Sequence, residues 1–310
     1  MVYQNLEIMQ KFTEKNLPSL CETVLGTLEL FEKEGLPKTK FKNFKRPLVV
    51  GSGNAIVTAK FLFEDKDAIF ADETNFEQQL RKNVDGVIIF SASGGKHAPI
   101  LAEAALKAKK QVQLVTCNKT APAIEIVGKE NTIITPKNRE PYTYNTSTYM
   151  GWIFAKTQED PKKIREFILN KVTPILPKNF KKYTGYLLVT PNEFSGLNQL
   201  FIVKFIELFG RVLARDVKSF EELKHAITVV PSKTEKCIQF GKGKVDFPSR
   251  DILKIPLPKN CGPAAMMAIA YYVIGRIQDQ YPQYFKKHIG EYLERNSKGS
   301  FGKVMNVIVE

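Results

Sequence analysis

The chain is sparing with the residues that usually mark a disulfide scaffold, a metal site or a membrane span. Only four cysteines occur in 310 residues, at Cys21, Cys117, Cys237 and Cys261, and no two form a C-x-x-C pair. That spacing argues against a disulfide framework or a structural zinc site and suits a reducing, cytoplasmic setting. There are three histidines and one tryptophan. The opening run Met1-Val-Tyr-Gln-Asn-Leu-Glu7 has no charged leader ahead of an apolar core, so no secretory signal is expected. The most apolar run, Ala264 to Ile274, falls short of the roughly 20 residues that a bilayer requires. It reads as a buried helix, and no membrane partner is expected.

What is present is ordinary in bulk. Hydrophobic residues make up 43% of the chain and charged residues 25%, the proportions of a soluble globular protein. The length allows about two domains of roughly 100–200 residues each. Lysine and arginine outnumber aspartate and glutamate by 46 to 32, a formal net charge of +14. Such a surplus admits an anionic ligand and raises the question of nucleic acid. The lysines, however, are scattered in short clusters such as Lys178, Lys181 and Lys182, with no zinc-finger, RNA-recognition or helix-turn-helix signature beside them. They read as a solvated surface, and no nucleic-acid partner is expected.

The pattern along the chain predicts an α/β fold. Residues 1–45 form an N-terminal helical segment with an apolar stripe at Leu25, Leu28, Leu30 and Phe31, broken by Gly35 and Pro37. A first α/β domain is expected over 46–158. Its strands are Pro47–Val50, Ala68–Phe70, Gly86–Phe90, Val112–Val115 and Thr132–Ile134, and helices are expected over Ala55–Phe63 and Pro99–Lys109. A helical linker over 159–180, with Pro161 near a helix start, leads to a second α/β domain over 181–310. There the pattern predicts a strand at Tyr186–Val189, a long helix over Leu197–Leu213, and strands at Ala226–Val230, Lys236–Phe240 and Ile252–Ile255. The apolar helix from Pro263 follows. Short apolar strands separated by helices imply mainly parallel sheets flanked by helices. Ligands of such sheets bind at the carboxyl ends of the strands.

Three hydroxyl-rich turns follow predicted strands. Ser91-Ala-Ser-Gly-Gly95 joins a strand to a helix and offers hydroxyls and backbone N–H groups to an anion, with Lys96 adding charge. Read structurally, it is a serine-capped loop. Gly51-Ser-Gly-Asn54 ends the first strand and begins like a dinucleotide fingerprint, with Asp72 and Glu73 about 20 residues on, but its third glycine position is Ile56. Asn145-Thr-Ser-Thr148 reads either as a third ligand loop or as a helix N-cap. Among titratable groups, His225 ends Phe220-Glu-Glu-Leu-Lys-His225 and is suited to proton transfer near neutral pH. His97 borders the serine turn, whereas His288 lies in a solvated context. Glu207, on the long helix, is either a general base at the core edge or one half of a surface ion pair with Lys204 or Arg211. Glu193, in a loop after a strand, is the second candidate base.

These residues, in this order, resemble the sugar isomerase (SIS) domain family. The resemblance rests on Ile88-Ile-Phe-Ser-Ala-Ser-Gly94, Ala102-Glu-Ala-Ala-Leu-Lys-Ala108 and Val112-Gln-Leu-Val-Thr116. It covers roughly residues 46 to 310 as two tandem domains, the first binding the phosphosugar. Within the family it is similar to the isomerase domain of glucosamine-6-phosphate synthases and to two-domain phosphoglucose/phosphomannose isomerases. The resemblance implies aldose–ketose isomerisation of a hexose or amino-hexose phosphate through an enediol, without a cofactor or metal. It implies that Ser52, Gly53, Ser91, Ser93, Gly94, Lys96, Thr146 and Ser147 bind the substrate. Glu207 would shuttle the proton, and His225 would open the ring. In the family that histidine often comes from a partner subunit, so a homodimer or higher homo-oligomer is expected. The family also contains non-catalytic phosphosugar sensors and regulators. This chain departs from the family pattern in four places. Lys96 stands where a threonine is usual, and His225 is followed by Ala-Ile rather than Gly-Pro. Glu207 and His225 lie about two residues further apart than in the synthases. The family's C-terminal lysine has no in-register match, Lys303 falling about two positions early and Lys298 earlier still.

Overall fold

The computed structural model describes residues 3–37, 40–95, 97–226, 230–243, 251–297 and 305–310. The chain begins with helices α1 (Gln4–Lys11) and α2 (Leu20–Glu34). It continues through β1 (Pro47–Gly51), α3 (Asn54–Leu62), β2 (Ile69–Ala71), α4 (Phe76–Leu80), β3 (Gly86–Phe90), α5 (His97–Lys107), β4 (Gln111–Thr116), α6 (Pro122–Val127) and β5 (Thr132–Ile134). The short strand β6 (Glu140–Pro141), α7 (Thr146–Thr157) and α8 (Pro161–Phe167) lead to β7 (Gly185–Thr190), α9 (Asn198–Phe209), β8 (Ala214–Ser219) and α10 (Phe220–Lys224). The last elements are β9 (Glu235–Phe240), β10 (Ile252–Ile255), α11 (Pro263–Gln278), α12 (Tyr284–Ser297) and β11 (Ile308–Val309). These elements fall into two compact units. No disulfide joins any of the four cysteines. Among the described residues no helix is long and apolar enough to cross a membrane.

One unit comprises Glu34–Lys137 and Ser147–Gln158 and holds a parallel five-stranded sheet in the order β2-β1-β3-β4-β5. The register pairs Leu48 with Val87 and Val87 with Val112, then Val50 with Ile89 and Ile89 with Leu114. These six residues share one face because side chains alternate along a strand. They pack with Ala98, Ala102 and Ala105 of α5 and Ile124 of α6. Phe90 points to the opposite face and meets Phe63, just past α3, at 6.1 Å and Trp152 of α7 at 5.2 Å. Burial on both faces is why β1 and β3 read as continuous apolar runs. Gln113 of β4 is the polar exception. Its buried amide accepts from the Lys42 N–H at 2.9 Å and donates to the Lys40 carbonyl at 3.2 Å.

The other unit comprises Met1–Lys33, Asn138–Thr146 and Glu159–Glu310. Its parallel sheet has the order β10-β9-β7-β8, and β11 pairs antiparallel with β6. Helix α11 opens with Pro263, and the Glu159 carboxylate accepts from the Ala264 and Ala265 N–H groups at 2.8 and 3.0 Å. It thus satisfies donors that a helix start leaves unpaired.

One expectation needs correction here. The long helix stops at Phe209, followed by Gly210 at φ +59°, and Ala214–Ser219 forms an edge strand beside β7. The sequence Ala-Arg-Asp-Val-Lys-Ser hides this strand, since only its Val217 and Ser219 are buried. The strand expected at Ala226–Val230 falls largely on 227–229, outside the described residues. Helix α12 was not expected. It buries Phe285, Ile289 and Leu293, a stripe at four-residue spacing masked by charged neighbours.

Candidate functional site

In the five-stranded unit the chain runs outward from β1 to β2, then crosses back to β3 on the other side of β1. The helices after β1 and β3 consequently pack on opposite faces, which opens a crevice at the carboxyl ends of these two strands. Gly51 and Phe90 are the last registered pair. Ser52 and Ser91 therefore begin neighbouring loops, about 4.8 Å apart in strand spacing.

The serine turn after β3 is held from its backbone side. The Ser91 N–H donates to Val115 O at 3.0 Å. The Ala92 carbonyl accepts from Thr116 Oγ1 at 2.9 Å and from the Cys117 N–H at 3.1 Å. Asn118 Nδ2 donates to Ser93 O at 3.1 Å, and the Ala123 N–H to Gly94 O at 3.1 Å. Gly94 has φ +57°, and a Cβ there would lie 2.3 Å from the Ala121 Cβ, so only glycine fits. Within the turn, Ser91 Oγ accepts from the Gly94 N–H at 3.2 Å and Ser93 Oγ from the Gly95 N–H at 3.4 Å. Each serine oxygen is engaged as an acceptor while its O–H proton has no acceptor among the described residues. Ser91 is half-buried and Ser93 exposed, at the start of α5, where the helix dipole favours an anion. His97 is the first residue of α5; Lys96 lies outside the described residues.

Ser52 is differently committed. Its hydroxyl donates to Glu73 Oε2 at 2.6 Å. Gly53 follows with φ +54° and ψ −127°, a conformation open to glycine alone. Asn145–Thr148 is not a loop throughout, since α7 begins at Thr146. The Thr146 N–H donates to Glu140 Oε2 at 2.6 Å, and its buried Oγ1 has no hydrogen-bond partner among the described residues. Ser147 is fully buried. Beside it, Thr148 Oγ1 accepts from Cys117 Sγ at 3.3 Å, and Cys117 also holds the serine turn through Ala92.

The candidate proton-transfer groups belong to the other unit. Glu207 lies on α9 and lines a cleft of about 620 Å³, walled by α9 and α12 with Ile206, Phe209, Phe285 and Tyr292; His288 and Arg295 also line it. Its ion-pair partner is Lys204, as spacing allowed, but this is no surface pair. Lys204 is completely buried, and Nζ donates to Glu207 Oε2 at 2.7 Å and to the Thr143 and Tyr144 carbonyls at 2.8 and 2.9 Å. Burial pushes the Glu207 carboxyl above its ordinary range, and Lys204 partly offsets that rise. The importance of Lys204 escaped the sequence reading, although a signal existed. Leu197, Phe201, Lys204 and Leu208 follow the 4-3-4 spacing of a buried helix face, and all four are buried. Glu193 is exposed in a short 3₁₀ turn. The His225 side chain, just past α10, is 81% exposed, and its Nε2 lies 3.8 Å from Glu221 Oε1. His288 is also exposed, 3.5 Å from Glu291.

No protein-family model matches the sequence, and no curated protein does either. Solved structures do match. A tagatose-6-phosphate ketose/aldose isomerase from Escherichia coli aligns with a TM-score of 0.58 at 10% identity, over 93% of each chain. A glucosamine-6-phosphate deaminase from Thermotoga maritima gives 0.57 at 14%, over 84% of this chain and 92% of that one. The C-terminal domain of glucosamine-fructose-6-phosphate aminotransferase from Francisella tularensis gives 0.53 at 13%, over 92% and 96%. At such identities the likeness establishes architecture. The chain has the fold of these phosphosugar proteins, with parallel sheets flanked by helices.

Proposed function

We propose that the chain binds a sugar monophosphate at the serine turn and interconverts its aldose and ketose forms. The observation that carries the reading is the state of the two hydroxyls. Ser91 and Ser93 each use an oxygen lone pair inside the turn and keep an O–H to donate, beside the positive end of α5. A phosphate, rich in acceptors and poor in donors, is the complementary ligand.

Isomerisation then needs one group that takes a proton from the carbon next to the carbonyl and returns it to the neighbouring carbon. Glu207 supplies it. A carboxyl raised by burial is a better base toward carbon than an exposed one, and Lys204 fixes its orientation. His225 assists ring opening, and its exposure suits delivery to the site of a second copy in a homo-oligomer. The test is Glu207→Gln assayed over a panel of hexose and amino-hexose phosphates. Binding is expected to persist while turnover is lost; unchanged turnover discards Glu207 in favour of Glu193.

The position of His225 also favours a second reading, a phosphosugar sensor without catalysis, because among the described residues its one ion-pair contact is Glu221 of the adjoining helix. Saturable binding of sugar phosphates with no isomerisation of any panel member would establish the sensor.

A further inference from the structure

We propose that Ser52 and Glu73 form a subsite for a protonated amine or comparable donor on the ligand, rather than part of the phosphate site. The proposal deepens the reading above and rests on it. Both groups lie at the carboxyl end of the five-stranded sheet, Ser52 just past β1 and Glu73 two residues past β2. A hydroxyl has one proton to donate. That of Ser52 goes to Glu73 Oε2 at 2.6 Å, the short distance of a bond to a carboxylate. Toward a ligand, Ser52 therefore presents lone pairs only. Ser91 and Ser93, one strand away, show the opposite polarity, with oxygens engaged and protons to give.

The charge points the same way. Among the described residues no cation pairs with Glu73, and its one hydrogen bond is from Ser52. A carboxylate beside a phosphate subsite repels the dianion and stabilises a cation. Its placement is built rather than incidental. The neighbouring Asp72 braces the loop through Oδ1, which accepts from the Thr74 N–H at 2.8 Å, from Thr74 Oγ1 at 2.5 Å and from the Asn75 N–H at 3.3 Å. Asn75 Oδ1 in turn accepts from the Asp72 N–H at 3.0 Å. This ring of bonds fixes the turn that presents Glu73 and ties Asp72 to it through Oδ1. On one rim the crevice thus holds a donor pair on β3 and an acceptor pair on β1 and β2, separated by one to two strand spacings, roughly 5–10 Å. A sugar monophosphate bearing an amino group matches both ends; one bearing only hydroxyls pairs less well with the carboxylate.

The experiment is isothermal titration of glucosamine 6-phosphate and glucose 6-phosphate into the full chain and three variants: Glu73→Gln, Ser52→Ala and the double variant Ser91→Ala/Ser93→Ala. Thermal melting of each unliganded variant checks folding. The wild type is expected to prefer the amino sugar phosphate. Glu73→Gln should weaken that ligand by about tenfold or more, the worth of a hydrogen bond to a charged group. Glucose 6-phosphate should bind Glu73→Gln as tightly as the wild type, or more tightly. Ser52→Ala should act in the same direction with a smaller change. Equal effects of Glu73→Gln on both ligands, or none on either, would overturn the subsite while leaving the phosphate reading intact, provided the double serine variant loses both ligands. Failure of the wild type to bind either compound would overturn both readings.

Discussion

Replacing Lys204 with methionine should destabilise the protein by about 3–5 kcal/mol at neutral pH, the usual cost of removing one partner of a buried pair. Three contacts set that figure. Nζ holds Glu207 Oε2 at 2.7 Å and two backbone carbonyls, Thr143 O at 2.8 Å and Tyr144 O at 2.9 Å, with no part of the side chain exposed. Methionine refills the stem volume but donates nothing. A buried carbonyl left without a donor costs roughly 1–3 kcal/mol, and Glu207 loses the cation that offsets its desolvation.

The deficit should also depend on pH. Burial already raises the Glu207 carboxyl above its ordinary value of 4.5, and Lys204 is what pulls it back. Without Lys204 the folded-state value climbs further. A carboxyl raised in the folded state binds its proton more tightly there than in the unfolded chain. Its stabilising contribution is complete below the unfolded value and is lost as pH rises through the folded one. The variant should therefore stand closest to the wild type near pH 5 and fall behind as pH rises to 8. Urea unfolding followed by circular dichroism at both pH values measures this directly. The double variant Lys204→Met/Glu207→Leu should lose the pH dependence and regain the share due to the unpaired carboxylate, because an apolar replacement removes both charges together, while the Thr143 and Tyr144 carbonyls stay without their donor. A deficit below about 1 kcal/mol, or one equal at pH 5 and 8, would refute the assignment of Lys204 as a buried, fully coordinated cation.

Other perturbations probe the remaining features. Ser91→Ala and Ser93→Ala should each weaken sugar-phosphate binding by about tenfold, close to 1.4 kcal/mol, without lowering the melting temperature; titration calorimetry and thermal melting separate the two effects. Gly94→Ala should cost about 2–4 kcal/mol, combining a positive φ with a Cβ 2.3 Å from that of Ala121, and a melting temperature unchanged from wild type would contradict the turn geometry. Arg165→Met strips a half of the bidentate pair with the buried Glu32 carboxylate, at 2.5 and 2.9 Å, and should cost about 3 kcal/mol. Lys224→Met, which removes the exposed pair with Glu221, should change stability by less than about 0.5 kcal/mol, so equal losses in these two variants would defeat the burial argument.

The parts of the fold that could be read from the sequence are those whose burial is uniform. β1, β3 and β7 are buried at every residue, so their apolar runs announce them. Elements with one solvated side were harder. β8 pairs with β7 along its whole length yet buries only two of its six residues, and its pattern resembles the charged end of a helix. α12 carries its apolar residues four apart among lysines and glutamates, a sparse stripe that composition alone reads as surface.

The same distinction governs the site. The serine turn is encoded locally. Five consecutive residues carry the hydroxyls, the glycine that permits the turn and the entry to α5, so sequence suffices to propose an anion. Ser52 shows the limit even there, because its partner Glu73 lies 21 residues on, and that contact turns a hydroxyl donor into an acceptor. Glu207 is the extreme case. Its proposed role as a base depends on burial and on Lys204, whose other acceptors are carbonyls about sixty residues earlier in the chain. Spacing along α9 identified the pair but gave no sign of which partner was buried. An i, i+3 ion pair on a solvated helix face is worth a few tenths of a kcal/mol and perturbs neither group. In the enclosed pair, burial raises the proton affinity of the carboxylate and the lysine partly offsets that rise. The proposed chemistry of the second unit thus turns on a tertiary contact, and it is there that Lys204→Met and Glu207→Gln bear on it.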